Sequence, residues 1–169
     1  MNLNEFLSAH DITLARCEHP AVMTVEESDR LVPKLPGAKT KNLFLRDAKG
    51  RRHFLVTIPG ARTVDLSKLG ETLGIGRLGF ASSERLLAHL GLTPGSVSLL
   101  GLMNDIEHHK VEFVIDQDLW DADAVQAHPL VNTATCVIPH ADLVRFLQAT
   151  GHEPRILEVP AATKEGATP

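Results

Sequence analysis

Two apolar runs separated by a short polar turn constrain the fold of this chain more than any other feature of its sequence. Leu43–Leu45 and Phe54–Ile58 flank the segment Asp47-Ala-Lys-Gly-Arg, in which Gly50 can adopt a positive φ. Short apolar runs on either side of such a segment are typical of two antiparallel strands joined as a β-hairpin. The sequence therefore predicts a largely buried hairpin over these residues.

Helices and further strands are predicted on both sides of this hairpin. Helix N-termini are indicated by the capping residues Asn2, Thr24, Asp65 and Ser82, and an amphipathic helix is predicted over residues 142–150. Apolar and β-branched runs predict strands over residues 12–17, 111–115, 135–138 and 156–159. We expect a long loop over residues 93–105 and a short polar helix or turn over residues 118–125.

Because helices and strands recur along the whole chain, the predicted fold class is α/β. We expect a single mixed-sheet domain with flanking helices over residues 1–159, since 169 residues is an ordinary length for one compact domain. Residues 160–169 contain only alanine among the aliphatic and aromatic residues and are predicted to form a disordered tail.

The composition argues against several classes of protein. Aromatic residues make up 4% of the chain and tyrosine is absent, which disfavours single-strand binding through stacked bases. No apolar run approaches the roughly 20 residues of a membrane helix, and the N-terminus lacks the form of a signal peptide. Cys17 and Cys136 are isolated, which indicates reduced thiols in the cytoplasm, with a disulfide as the alternative. We therefore expect a cytoplasmic protein with no membrane partner.

The net charge of -4 conceals two segments of opposite charge. Residues 34–52 contain seven basic residues and one acidic residue, whereas residues 104–126 contain seven acidic residues and one basic residue. A basic face allows an acidic protein to bind a polyanion such as a nucleic acid. Two solvated faces of opposite sign are an equally good interpretation, and the charge pattern leaves both open.

Three polar clusters, each next to an apolar element, are candidates for a binding pocket. They are Lys41-Asn42, the loop Gly95–Asp105, and His128–Thr135. Polar groups held at the ends of rigid elements can converge on one pocket. Two of the clusters also have an ordinary structural explanation, because a lysine at a strand end is usually solvated and His128–Thr135 could be a hydrogen-bonded turn followed by a strand.

Other kinds of catalytic site have little support in the sequence. The adjacent pair His108-His109 would diverge on a strand, and no helical His motif is present, so no metal site and no cofactor are expected. The chain lacks the GxSxG pattern of a serine nucleophile. Cys136 lies in an apolar run, where a thiol is expected to be inert.

Taken in order, the motifs of the chain resemble those of a known family. They are Gly37-Ala-Lys-Thr-Lys-Asn-Leu-Phe-Leu, Gly95-Ser-Val-Ser with Gly101-Leu-Met-Asn-Asp, His128-Pro with Asn-Thr-Ala-Thr, and the closing Asp142-Leu-Val-Arg-Phe-Leu helix. The ordered set resembles the free-standing relatives of the prolyl-tRNA synthetase editing (insertion) domain, and more narrowly the trans-editing alanyl-tRNA(Pro) deacylases. Leu99-Leu100 departs from the Pro-Phe pair expected there.

The resemblance implies an enzyme that hydrolyses the ester between a mischarged amino acid and the 3′ end of tRNA(Pro). A synthetase pocket built for proline cannot strongly reject the smaller alanine, because each missing methylene discriminates by only about 1–3 kcal/mol. A second pocket that is too small for proline can then remove alanine. The resemblance thus implies the fold of the editing domain, alanyl-tRNA(Pro) as substrate, and prolyl-tRNA(Pro) as the excluded product.

The resemblance also implies roles for particular residues. Lys41 is the residue most closely tied to activity, and its ammonium could bind a phosphate or polarise the ester carbonyl. His128 is the best side-chain candidate for activating water, with a vicinal tRNA hydroxyl as the alternative. The expected substrate-binding residues are Asn42, Met23, Gly101, Asn132 and Thr133. The expected tRNA-binding residues are Lys41, Arg77, Lys39 and Arg46.

Two alternatives to the alanyl-tRNA(Pro) deacylase remain open at this point. One is a cysteinyl-tRNA(Pro) deacylase with a pocket that admits a thiol-bearing side chain. The other is a non-catalytic module that binds tRNA or an amino acid. The expected partner is the acceptor end of tRNA(Pro), with transient contacts to prolyl-tRNA synthetase or an elongation factor.

Overall fold

A computed structural model describes residues 1–162 of the chain. Its helices are α1 (Leu3–Ala9), α2 (Val25–Leu31), α3 (Leu66–Thr72), α4 (Ser83–Leu90), α5 (Gln117–Trp120) and α6 (His140–Thr150), with a 3₁₀ helix at Leu99–Asp105. Its strands are β1 (Ala15–Glu18), β2 (Thr40–Asp47), β3 (His53–Pro59), β4 (Leu78–Phe80), β5 (Val111–Asp116), β6 (Ala124–Ala127), β7 (Ala134–Pro139) and β8 (Arg155–Leu157). These elements form two sheets with flanking helices, which confirms the predicted α/β class.

The larger sheet is built around the predicted hairpin. Its strand order is β4-β2-β3-β5-β8, and β2 and β3 pair antiparallel with Thr40 opposite Pro59 and Arg46 opposite His53. The pairs β3–β5 and β5–β8 are parallel, so the sheet is mixed, as predicted. The hairpin connection contains Gly50 at φ 66°, the left-handed conformation that its sequence indicated.

The interior strand β3 is buried on both of its faces. Alternate side chains enter two different hydrophobic clusters, with Leu55 in one and Phe54 and Val56 in the other. All three of these side chains are fully buried. Burial of each such side chain contributes about 1.5–3 kcal/mol to stability. Because β2 pairs with this buried strand, the start of β2 is held firmly in place.

The smaller sheet has the strand order β1-β7-β6, and all of its pairs are antiparallel. The segment just before β2 contacts the edge strand β6 of the smaller sheet, because Ala38 forms a parallel bridge with Val125. The Ala38 N–H donates to the Ala124 carbonyl over 2.9 Å, and the Thr40 hydroxyl donates to the Gln126 carbonyl over 2.6 Å. The two sheets therefore meet where β2 begins, directly before Lys41.

Local signals located the helix N-termini correctly. Asn2 forms the predicted capping box with Glu5, and the side chains of Thr24, Asp65 and Ser82 each accept from the backbone N–H three residues on. The predicted helix over 142–150 is present, begins two residues earlier, and ends at Gly151.

Four local predictions require correction or extension. Residues 99–105, predicted as loop, form a buried 3₁₀ helix. Residues 118–125, predicted as one short polar helix or turn, divide between α5 and β6. Strand β4 was not predicted. The first predicted strand begins at Ala15 rather than at residue 12. In each case packing against other elements outweighs a weak local pattern.

The C-terminal segment continues past the predicted domain boundary at residue 159. Ala161 bridges to Val64, and Pro160 accepts a hydrogen bond from the Asp65 N–H. The start of the predicted tail is therefore folded against the α3 side of the domain, and residues 163–169 lie outside the described residues. No helix within residues 1–162 is long and apolar enough to cross a membrane.

Candidate active site

A cleft of about 270 Å³ lies where the two sheets meet. Each of the three predicted polar clusters contributes to it, through Lys41 and Asn42, through Gly95, and through His128 and Thr135. The remaining lining residues are Val22, Met23, Thr24, Ser28, Lys39, Thr40, Gly60, Val97, Gln126 and Ala127. Residues distant in the sequence thus converge on one site.

Lys41 is the second residue of β2 and lies opposite Ile58. Partial burial lowers the pKa of its ammonium from the usual 10.5. No carboxylate among residues 1–162 forms an ion pair with Lys41, whereas the neighbouring Lys39 is paired with Asp29. The Lys41 ammonium is therefore available to a phosphate or to an oxygen that becomes negative during a reaction.

Asn42 is held in place by its cross-strand neighbour Thr57. The buried Thr57 hydroxyl donates to the Asn42 Oδ1 over 2.6 Å. Because this bond occupies the carbonyl end of the amide, the NH₂ end of Asn42 remains available as a donor. Asn42 can therefore act as a neutral donor in the cleft that Lys41 also lines.

His128 is arranged to accept a proton. Its Nδ1 lies 3.0 Å from the Ala134 carbonyl oxygen. A carbonyl only accepts hydrogen bonds, so the proton of the neutral ring is on Nδ1 and the lone pair is on Nε2. Burial lowers the pKa of His128 from 6.5; the bond to Ala134 opposes this, and nearby His19 adds to it. His128 is thus largely neutral at pH 7 and offers a basic nitrogen.

Met23 and Gly95 form the mouth of the cleft. The Met23 side chain is 60% exposed, and a Cβ added at Gly95 would lie 2.6 Å from its terminal methyl. Gly95 also has φ +91°, so glycine is required here both for the backbone conformation and for the close approach of the thioether. The width of the mouth therefore depends on these two residues together.

The predicted residues Asn132 and Thr133 contact the segment that carries Met23. The Asn132 amide donates to the Val22 carbonyl over 3.1 Å and lies 3.3 Å from the Met23 sulfur. The Thr133 carbonyl accepts from the His19 N–H over 2.9 Å. Both residues therefore support the segment around Met23 and are not among the residues that line the cleft, and their direct contact with a substrate stays a prediction.

The structure locates three other predicted residues away from the cleft. Gly101 is buried in the 3₁₀ helix, where a Cβ would lie 2.7 Å from a Leu92 methyl, and the residues of its loop that line the cleft are Gly95 and Val97. Arg46 lies five residues along β2 from Lys41, about 17 Å at the rise of an extended strand. Arg77 directly precedes β4, which pairs with that same distal part of β2. Their predicted tRNA contacts are therefore separate from the cleft.

Comparison with known proteins identifies the family of this fold and cleft. Residues 19–146 match the model of the aminoacyl-tRNA editing domain. The chain belongs to this family. It is 40% identical over 142 residues to the prolyl-tRNA editing protein ProX of Acetoanaerobium sticklandii, which covers 84% of this chain and 86% of that protein. The predicted family and its class of activity, deacylation of aminoacyl-tRNA, are thereby confirmed.

Two further comparisons cover almost the whole editing domain. The chain is 42% identical over 157 residues to prolyl-tRNA synthetase associated domain-containing protein 1 of Danio rerio, which covers 92% of this chain and 84% of that protein. A crystal structure provisionally described as a trans-editing enzyme for prolyl tRNA synthetase superposes with a TM-score of 0.67 at 22% identity, covering 94% of each chain. This last likeness confirms the predicted fold.

In this editing domain the structure adds residues to the site that the sequence did not indicate. Gln126 donates to the carbonyls of Leu35, Pro36 and Gly37 over 3.2–3.3 Å and so holds the segment before β2. His19 lies 2.8 Å from the Thr135 hydroxyl. Gln126 directly follows the segment predicted as a polar helix or turn, residues 118–125, and lies in β6, which was not predicted, so its local pattern contained no signal for these contacts.

The remaining candidates for chemistry give the site no further reactive group. Burial raises the pKa of the Cys136 thiol, in agreement with an inert cysteine. Cys17 lies opposite Thr135, one register position from Cys136, so the two thiols are on opposite faces of the sheet and cannot form a disulfide. No group of three His, Cys, Asp or Glu residues suited to a metal ion is present in the described part of the chain.

Proposed function

We propose that this editing domain acts in trans on mischarged tRNA(Pro) and hydrolyses the ester of alanyl-tRNA(Pro) while sparing prolyl-tRNA(Pro). Lys41 lines the cleft and forms no ion pair within residues 1–162, and this is the observation that carries the proposal. The names of the relatives support tRNA(Pro) as the nucleic acid, since one is called a prolyl-tRNA editing protein. The proposed partner is the acceptor end of tRNA(Pro), met in the cytoplasm, with transient contacts to prolyl-tRNA synthetase or an elongation factor.

The shape of the cleft supports selection by size. Its apolar lining comes from short side chains, Val22, Val97 and Ala127, and its mouth is narrowed by Met23 against Gly95. A methyl side chain needs less room than a pyrrolidine ring, and packed protein walls yield little to extra volume. A small pocket can therefore exclude proline by steric repulsion more strongly than the larger proline pocket of a synthetase can reject alanine.

The proposed reaction is the attack of water on the ester carbonyl. The bond from the carbonyl carbon to the ribose oxygen breaks, and the products are the free amino acid and a tRNA with its terminal hydroxyl restored. Lys41 stabilises the negative charge on the carbonyl oxygen or holds a terminal phosphate, and the Asn42 amide donates beside it. The His128 Nε2 takes a proton from the water, directly or through the vicinal hydroxyl of the ribose, and returns it to the ribose oxygen as the ester bond breaks.

A panel of substrates tests this function. Purified protein is incubated with alanyl-, cysteinyl- and prolyl-tRNA(Pro), and with alanyl-tRNA(Ala) as a control for reading of the tRNA. We expect rapid release of alanine from tRNA(Pro), slower release from tRNA(Ala), and no release of proline above the spontaneous rate. Preferred release of cysteine would identify cysteinyl-tRNA(Pro), rather than alanyl-tRNA(Pro), as the substrate. Tight binding without turnover would identify a non-catalytic module.

A further inference from the structure

His19 and Thr135 form a hydrogen-bonded pair in the wall of the cleft that the reaction proposed above does not use. The His19 Nε2 lies 2.8 Å from the Thr135 Oγ1, and the His19 Nδ1 lies 2.8 Å from the Pro20 carbonyl oxygen. Thr135 is 6% exposed and lines the cleft. The two residues come from β7 and from the segment after β1, so the pair is formed only in the folded chain.

The partners of His19 determine the direction of these hydrogen bonds. The Pro20 carbonyl can only accept, so the His19 Nδ1 carries a proton. In the neutral ring the Nε2 then has a lone pair, and the Thr135 hydroxyl donates its proton to it. The lone pairs of the Thr135 oxygen remain and can accept hydrogen bonds from a ligand in the cleft.

The strand register brings Thr135 close to His128. His128 directly follows Ala127, the last residue of β6, which pairs with Cys136, and Thr135 directly precedes Cys136 in β7. Both residues line the cleft, the His128 and His19 ring centroids lie 6.4 Å apart, and His19 is hydrogen-bonded to Thr135. The wall therefore presents two neighbouring acceptors, the His128 nitrogen and the Thr135 oxygen.

A substrate of this family has a cationic group that can donate hydrogen bonds to these acceptors. The α-ammonium of an aminoacyl ester needs acceptors, yet the described residues that line the cleft include no carboxylate and two lysines. Repulsion from Lys41 favours a position for the ammonium near the wall of the smaller sheet. Of the two neighbouring acceptors on this wall, His128 is needed to take a proton, so the Thr135 oxygen is left to accept from the ammonium.

We propose that Thr135 accepts a hydrogen bond from the substrate's α-ammonium and that His19 is the residue that positions its hydroxyl. The site would thereby select aminoacyl esters with a free amine over N-acylated ones, such as peptidyl esters, which lack the charge. This inference rests on the proposed deacylase function and adds a second basis of selection to the size of the pocket.

The test compares alanyl-tRNA(Pro) with N-acetylalanyl-tRNA(Pro) as substrates for the full chain. We expect the wild-type protein to prefer the free amine, and Thr135→Val to lower the ratio of kcat/KM for the two substrates by about 10- to 100-fold, as for loss of a hydrogen bond to a charged group. Thr135→Ser keeps a hydroxyl and is expected to retain the ratio within about 3-fold.

A second pair of variants tests the positioning role of His19. Gln can place an acceptor where the His19 Nε2 lies, whereas Phe fills similar volume without one. His19→Gln is therefore expected to retain the selectivity ratio and His19→Phe to lower it, mainly through a higher KM for the free-amine substrate. Circular dichroism and thermal midpoints establish folding, and if Thr135→Val does not fold, the His19 pair decides.

The outcomes separate this inference from the function on which it rests. If wild-type protein hydrolyses neither substrate, the proposed function fails and the inference fails with it. Deacylation of alanyl-tRNA(Pro) with the same ratio in Thr135→Val as in wild type overturns the inference alone. If Thr135→Ser lowers the ratio of kcat/KM for the two substrates as much as Thr135→Val does, the effect comes from packing, and the inference is overturned as well.

Discussion

The two ends of strand β2 carry similar basic residues in very different surroundings. At the start of the strand, the Lys41 ammonium lies in a cleft without an ion-pair partner among residues 1–162. At the distal end, the Arg46 guanidinium donates to the carbonyls of Asp47 and Ala48 in the hairpin turn. One charge is available to a ligand, and the other holds a turn.

The distal end also neutralises one further charge of the basic segment and buries another basic contact next to the hairpin turn. Arg52 forms a bidentate pair with Glu112 at 2.7 and 2.9 Å and lies over the Phe54 ring. Arg85 donates to the Gly50 carbonyl and to His53, whose pKa is lowered to about 4 by burial and by the nearby His89 and Arg85. The density of basic residues in the sequence therefore overstates the positive charge that the folded surface offers to a nucleic acid.

The largest expected effect comes from removing the charge at the start of β2. We predict that Lys41→Ala lowers kcat for deacylation by about 100- to 1,000-fold, the range for loss of one group that stabilises an oxyanion. Arg46→Ala, the matched control at the distal end, should change kcat by less than about 3-fold, because its bonds are to an exposed turn. Equal losses in both variants would remove the distinction between the two ends.

A folded Lys41→Ala protein is needed for this comparison. Far-ultraviolet circular dichroism and the thermal midpoint should match those of wild type, because the side chain is only partly buried. A fully active Lys41→Ala protein would contradict the proposed mechanism.

The next effect concerns the pH dependence of the cleft. A pKa of His128 below 6.5 means that the basic form persists to lower pH, so activity should decline only below that ordinary value. A lowered pKa of Lys41 means that its ammonium is lost below pH 10.5, so activity should decline on the alkaline side before that pH. Measured kcat/KM, corrected for spontaneous hydrolysis, should therefore form a bell.

His128→Gln separates the two limbs of this profile. The variant should be slower and should lose the acid limb, while the alkaline limb assigned to Lys41 persists. An unchanged acid limb in His128→Gln would exclude His128 as the proton acceptor and would favour the ribose hydroxyl as the route for the proton.

The smallest effect is expected from the distal arginines. Replacement of Arg46, Arg51 and Arg52 by Ala should weaken tRNA binding and reduce the salt slope of log K by up to about 0.7–0.9 for each phosphate that is no longer neutralised. The double variant Arg52→Ala/Glu112→Ala removes a charge pair without changing the net charge and should bind almost as wild type does. Filter binding at several salt concentrations measures both.

The absence of any change in the triple variant would also be informative. It would identify residues 34–52 as a solvated face, the alternative that the charge pattern left open. The tRNA would then be held through the cleft itself and through surfaces outside the distal end of β2.

The accuracy of the sequence-based predictions differs between elements for physical reasons. The hairpin and the caps at Asn2 and Thr24 depend on neighbours within a few residues, so local sequence is sufficient for them. Strand β6 has four residues with weak local preference and exists because it pairs with β7. Gly101 looked like part of a ligand-binding loop, but apolar neighbours such as Leu92 draw its segment into the core.

The order of residues along the chain was enough to predict the hairpin, the helix caps and the family, and it led to Lys41 as the candidate on which activity depends. Tertiary contacts determine which basic residues remain unpaired, since Asp29 and Glu112 reach Lys39 and Arg52 from other parts of the chain. They also bring His19 to Thr135 across 116 positions. Local preferences act over a few residues, whereas the availability of a charge or a lone pair depends on contacts that exist only after the chain has folded.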